Sequence, residues 1–183
     1  MATLTSKTQQ SAEAGAELVD AVLAASRALV AVAARSLVNV AGDVTLVQYR
    51  VLVELAARGP QRVADLAAVL GVDPSTVTRM CDRLVRKGLA YRRRGTSDRR
   101  AVKISLAPAG RDLVQDVTRQ RRAELKKILA RLPNEDRSPV LSALRAFAAA
   151  AGEVPEQEWS LGWRLGTAAA DGQQGGPTSR KDI

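Results

Sequence analysis

The chain has 183 residues, 46% of them hydrophobic but only 3% aromatic, with no histidine, one cysteine and a net charge of +9. That inventory excludes Cys/His zinc sites, internal disulfides and the Ser–His or Cys–His pairs of nucleophilic catalysis, and no phosphate-binding glycine loop is present, so a non-enzymatic protein without a cofactor is expected. The charge is concentrated: residues 79–100 hold nine Arg or Lys against two Asp, while the other 161 residues carry only +2, a pattern that suits a polyanionic partner.

Residues 1–11 are polar and unpatterned and are expected to form a disordered tail. From 12 to 41 the sequence is Ala-rich, with Leu18, Val22, Leu29 and Val32 at helical spacing, and Gly42-Asp43 closes the segment. No stretch reaches the roughly 18–20 uncharged apolar residues of a membrane helix, and the start lacks the pattern of a secretory signal. A cytoplasmic protein with no membrane partner is the expectation. Thr45 can cap a second helix over 46–58, and Gly59-Pro60 ends it.

A short helix is predicted over 63–70, stopped by Gly71. Asp73-Pro74 then reads as a cap followed by proline at the first helical position, opening a helix that runs to about 87 before Gly88. Two short helices joined by Gly71-Val72-Asp73 have the spacing of a helix-turn-helix. The period next changes to two: 89–94 and 101–106 read as strands flanking the turn Gly95-Thr96-Ser97-Asp98. Pro108 opens a long helix to about 132, with Leu113, Val117, Leu125 and Ile128 as apolar positions. Pro133-Asn134 breaks it, and a final helix follows over 135–151. Residues 154–183 turn Gly-rich and are expected to be mostly disordered.

Within the 74–87 helix, Val77, Cys81, Leu84 and Val85 share one stripe, with Met80 on its margin. Ser75, Thr76, Thr78, Arg79, Arg83 and Arg86 remain on or beside the outer face. Short hydroxyl side chains let a helix enter the major groove, and arginine reaches guanine edges or phosphates. Arg92, Arg93, Arg94, Arg99 and Arg100 surround the following turn, and a slim basic ribbon fits the minor groove. Helix and ribbon in tandem point to double-stranded DNA.

The residues Leu66-Ala67, Leu70-Gly71-Val72, Ser75-Thr76-Val77-Thr78-Arg79, Asp82-Arg83-Leu84, Lys87-Gly88-Leu89 and Asp98-Arg99-Arg100, followed by Ile104, Leu106 and Gly110, resemble the DNA-binding core of MarR-type transcription regulators. The resemblance implies a mainly α fold with a small β-hairpin wing. A winged helix-turn-helix over 44–107 would lie between dimerisation helices over 12–43 and 108–153. It further implies a homodimer, with Arg100 entering the minor groove, Asp98 shaping the wing, and Ser75, Thr76, Thr78 and Arg79 facing the major groove. Ala107 departs from the pattern, which usually has a capping Thr there, at a cost of about 1 kcal/mol. Independently, the Ala-rich flanking helices offer more apolar surface than a small winged domain can cover, and two recognition helices about 34–36 Å apart would read a palindrome.

The reading is thus a sequence-specific, homodimeric DNA-binding regulator, a repressor by family expectation. The alternatives are a sequence-nonspecific architectural DNA-binding protein and a winged-helix protein-interaction module. MarR-type proteins are often released from DNA by small aromatic or anionic effectors. No effector is identified by these residues, although Tyr49 could border such a pocket. Cys81, on the inward stripe, is expected to be a packed and inert thiol, and Trp159 and Trp163, four apart, to fold back onto the last helix.

Overall fold

The computed structural model describes residues 2–41, 43–94 and 102–159. Helix α1 (Ala2–Ala41) is followed by α2 (Leu46–Arg58), β1 (Gln61–Arg62), α3 (Val63–Leu70), α4 (Pro74–Arg86), β2 (Ala90–Arg94), β3 (Val102–Leu106), α5 (Pro108–Leu129) and α6 (Asn134–Ala150), with a 3₁₀ turn at Glu156–Glu158. The mainly helical fold with a small sheet agrees with the sequence reading. At both ends the described structure extends past the expected bounds. Helix α1 begins at Ala2, so the polar start continues the helix instead of fraying; its first eleven residues contain neither Pro nor Gly to stop the backbone ladder. At the other end, residues 154–159 are ordered against the body of the chain; Trp163 and the rest of the tail lie outside the described residues, as does Gly42.

Local signals account for the element boundaries. Thr45 and Gln48 form a reciprocal capping box, with Gln48 N–H donating to Thr45 Oγ1 at 3.3 Å and Thr45 N–H to Gln48 Oε1 at 3.2 Å. Asp65 accepts the Arg62 amide at 3.2 Å and so closes the start of α3. Gly71 adopts φ 64, and the Val72 amide reaches back to Ala67 O at 3.2 Å; this left-handed cap ends α3 and turns the chain into α4. Asp73 accepts the Ser75 amide at 2.7 Å, with Pro74 next in line. Strand β1 has no counterpart among the predicted elements, because two residues carry no period; it exists only through pairing with β3.

The sheet runs β1-β3-β2 and is antiparallel throughout. Gln61 faces Ile104, and Ala90 through Arg94 face Leu106 through Val102. One core unites Leu52, Leu55, Leu66, Val77, Cys81, Leu84, Ala90, Ile104, Val114 and Val117. The predicted inward stripe of α4 is therefore the buried one, with Val85 half-buried at its edge. Ala107 caps α5 without any side-chain hydrogen bond, although its own amide donates to Leu89 O at 3.1 Å.

Outside this core the chain is under-packed. Burial in α1 is confined to its end, at Val32, Ala33, Ser36 and Leu37 among the described residues, and Arg35 pairs with Glu124 of α5 at 2.9 Å. Leu18, Val19, Leu23, Val30, Ile128, Leu129, Leu141, Leu144 and Phe147 all stay exposed. By length and composition Glu13–Ala41 could cross a membrane; Asp20, Arg27 and Arg35 interrupt it. An apolar groove lies between α5 and α6, bordered by Leu129, Leu132, Val140, Leu141 and Leu144.

Candidate nucleic-acid interface

Helix α4 is positioned by its own buried stripe and by Asp73, whose carboxylate is held below the usual range by hydrogen bonding to Ser75. With Val77, Cys81 and Leu84 fixed in the core, the opposite face must point outward. Ser75, Arg79, Arg83 and Arg86 are exposed, while Thr76 and Thr78 are half-buried. The Thr78 hydroxyl donates to Pro74 O at 2.9 Å, so its oxygen is turned to the helix backbone.

Arg79, Asp82, Arg83, Val85, Arg86 and Arg92 line a shallow groove where α4 meets β2. Arg92 does not stand free in it: its guanidinium bonds Asp82 at 2.6 Å, joining the strand to the helix. Arg93 stacks over the Tyr91 ring at 5.2 Å. Among the described residues no ion pair involves Arg79, Arg83 or Arg86. Three cations that form no ion pair in this set thus project from one helix face. The Arg94 side chain and Asp98, Arg99 and Arg100 at the hairpin tip lie outside the described residues.

Lys87, just beyond α4, bonds both the carboxylate and the carbonyl of Asp43, each at 2.7 Å. The hydrogen bond to Lys87 lowers the Asp43 pKa. This contact, the Arg92–Asp82 pair and the close approach of Gly110 to Leu89 escape sequence reasoning. The long-range pairs carry no local signal, while Gly110 is visible in the sequence only as a motif residue.

Cys81 is buried, and burial pushes its thiol up to about 11, against a smaller opposing influence of Arg92. At pH 8 the thiolate is on the order of 0.1% of the total. Iodoacetamide is accordingly expected to leave Cys81 unmodified in the folded protein and to alkylate it fully in denaturant. Rapid alkylation of the folded protein, followed by mass spectrometry, would contradict the packing role.

Tyr49 is a core residue, 4% exposed. Burial raises its pKa, while Thr118 and Arg121 beside the hydroxyl act in the opposite direction. The hydroxyl, like Arg121 Nε, makes no well-formed hydrogen bond among the described residues.

Comparison with known proteins places this geometry. Residues 44–102 match the sequence model of the MarR family. Over 107 aligned residues the chain is 34% identical to the multiple antibiotic resistance protein MarR of Salmonella typhimurium, covering 48% of this chain and 74% of that one. The chain belongs to the MarR family.

A second relative is the HTH-type transcriptional repressor MdtR of Bacillus subtilis, 37% identical over 93 residues. That match covers 51% of this chain and 60% of MdtR's own length. Among solved structures, RV1404 from Mycobacterium tuberculosis is similar with a TM-score of 0.72 and 41% identity, covering 75% of this chain and 94% of that one. The two curated relatives are named for regulation and resistance, and neither is named as an enzyme. The high coverage of RV1404 extends the likeness beyond residues 44–102 into the flanking helices.

Proposed function

We propose that this MarR-family chain is a cytoplasmic homodimeric transcription repressor that binds a palindromic operator in double-stranded DNA and is relieved by a small aromatic or anionic effector. Residues 44–107 form the DNA-binding unit, and residues 12–43 and 108–153 form the arms that join two copies. The observation that carries the reading is the outer face of α4, where Arg79, Arg83 and Arg86 are exposed and form no ion pair among the described residues. Such a face is unfavourable as mere surface, since like charges lie within two turns, and becomes favourable against phosphate and base edges.

Roles divide by position. Ser75, Thr76 and Arg79 occupy the first turn and a half of α4, which enters the groove first. Arg83, Arg86 and Arg93 would contact phosphates. Arg92 acts by tying the wing strand to Asp82, and Arg94, Arg99 and Arg100 serve the minor groove, with Asp98 holding the turn. The exposed apolar surface of α1, α5 and α6 supports dimerisation. The effector reading rests on the family resemblance; Tyr49 itself is buried beside Thr118 and Arg121.

Arg79→Ala is expected to cost about 1–3 kcal/mol on the best duplex and to relax discrimination at one base pair. Arg100→Ala is expected to weaken binding to all duplexes alike and to reduce the salt slope by about one. Titrating both variants against a panel of single-base duplexes at several salt concentrations separates the roles. Equal losses on every sequence would show that Arg79 reads no base.

A further inference from the structure

Helix α6 is held to its own chain chiefly by the segment 152–159 at its C-terminal end. The helix buries none of its residues, and its close contacts with the other elements are sparse. Residues 152–159, by contrast, fasten to two helices of the body. Arg58 of α2 donates to Gly152 O at 2.7 Å. Arg50 of the same helix meets the Glu153 carboxylate through both terminal nitrogens, at 3.2 and 2.5 Å. Arg122 of α5 pairs with Glu156. Trp159 is 8% exposed and belongs to the core cluster, and its indole N–H donates to Val154 O at 2.9 Å.

The socket also has support from within α2. Glu54, 3% exposed, bonds Arg50 at 2.9 Å and Arg58 at 3.1 Å, fixing both guanidinium groups where they receive Gly152 and Glu153. A prepositioned fork loses little side-chain entropy on docking. The segment's ion pairs are partly exposed and each is weak alone, so the segment is held by them jointly with Trp159, which adds a large apolar area. Apart from Trp159 the core cluster is built from the winged domain and the helices flanking it, with Val154 packed against it. The fastening can therefore open while the winged domain stays folded.

We propose that residues 152–159 are a clasp that fixes α6, and with it the second subunit, at one angle to the winged domain, so that its release changes the spacing of the two recognition helices without altering either helix. The inference rests on the homodimeric reading. Its test uses the full chain with Cys81→Ala and Val69→Cys, a spin label on the exposed face of α3, and pulsed electron resonance between the two subunits. Trp159→Ala and the double variant E153Q/E156Q are compared with this parent, light scattering and thermal melting being recorded for each. The clasp predicts a narrow interspin distribution in the parent and a broader or displaced one in both variants, each still a folded dimer. The double variant alters only partly exposed carboxylates and keeps the test valid where Trp159→Ala does not fold. Distributions that superpose on that of the parent in a folded dimeric variant would overturn the clasp. A parent that is itself monomeric would overturn the dimeric reading and the clasp with it, and light scattering on the parent tells the two failures apart.

Discussion

Gly110→Ala is expected to destabilise the protein by about 3 kcal/mol or more, a loss large for the addition of one methyl group. Gly110 is in the first turn of α5, where alanine would ordinarily gain about 1 kcal/mol through helix propensity. Packing decides the sign. A β-carbon there would lie 2.1 Å from Leu89 O and 3.0 Å from the Leu89 carbonyl carbon, and the Leu89 oxygen also accepts the Ala107 amide. The obstacle is backbone held by a hydrogen bond, so a side-chain rotation cannot relieve it. Either α5 moves off the winged domain or the entry to β2 shifts. At fixed protein concentration the melting temperature should fall by roughly 6–12 °C. A change of less than about 2 °C would mean that α5 does not approach Leu89 so closely.

The second large effect concerns assembly. Leu144 and Phe147 on α6 are 49% and 56% exposed within one chain, and Leu144 borders the apolar groove against α5. Replacing both by Glu places two charges on a surface that is apolar without being part of any core. The fold of residues 44–117 should persist, since its buried side chains come from other elements. Association should fail, because desolvating two carboxylates costs far more than the apolar contact returns. Light scattering should report a mass near 19.5 kDa for the variant, against twice that for the native protein. Affinity for a two-half-site duplex should fall by about 100-fold or more, as the second half-site ceases to be bound intramolecularly. An unchanged mass would place the subunit contact elsewhere.

The helices and the hairpin are legible in the sequence because each carries a strong local signal. Examples are the Thr45 cap, Gly71 as the stop of α3, Asp73-Pro74, and the change from helical to alternating period after Gly88. The inward stripe of α4 is equally readable, which is why Cys81 emerges as packing and the arginines as surface. Strand β1 is not, since Gln61 and Arg62 become a strand only by meeting Ile104 and Lys103. By sequence Arg92 is one more free cation of the hairpin; its pairing with Asp82 joins residues ten apart on different elements, and neither neighbourhood announces it. The ordered stretch up to Trp159 is hidden for a similar reason. Its polar composition resembles a disordered tail, and its anchors Arg50, Arg58 and Arg122 lie 34 to 103 residues away.

Reading of a palindrome by the α4 face and the basic hairpin, as a dimer, is tested most directly by selecting bound duplexes from a random pool. A salt concentration of ~150 mM suppresses purely electrostatic binding. The expected result is enrichment of an inverted repeat with half-sites about 10 base pairs apart, centre to centre. Binding at low salt with no enriched sequence at ~150 mM would contradict dimeric base reading and point to architectural binding, whereas no binding at any salt would remove DNA as the partner of this face.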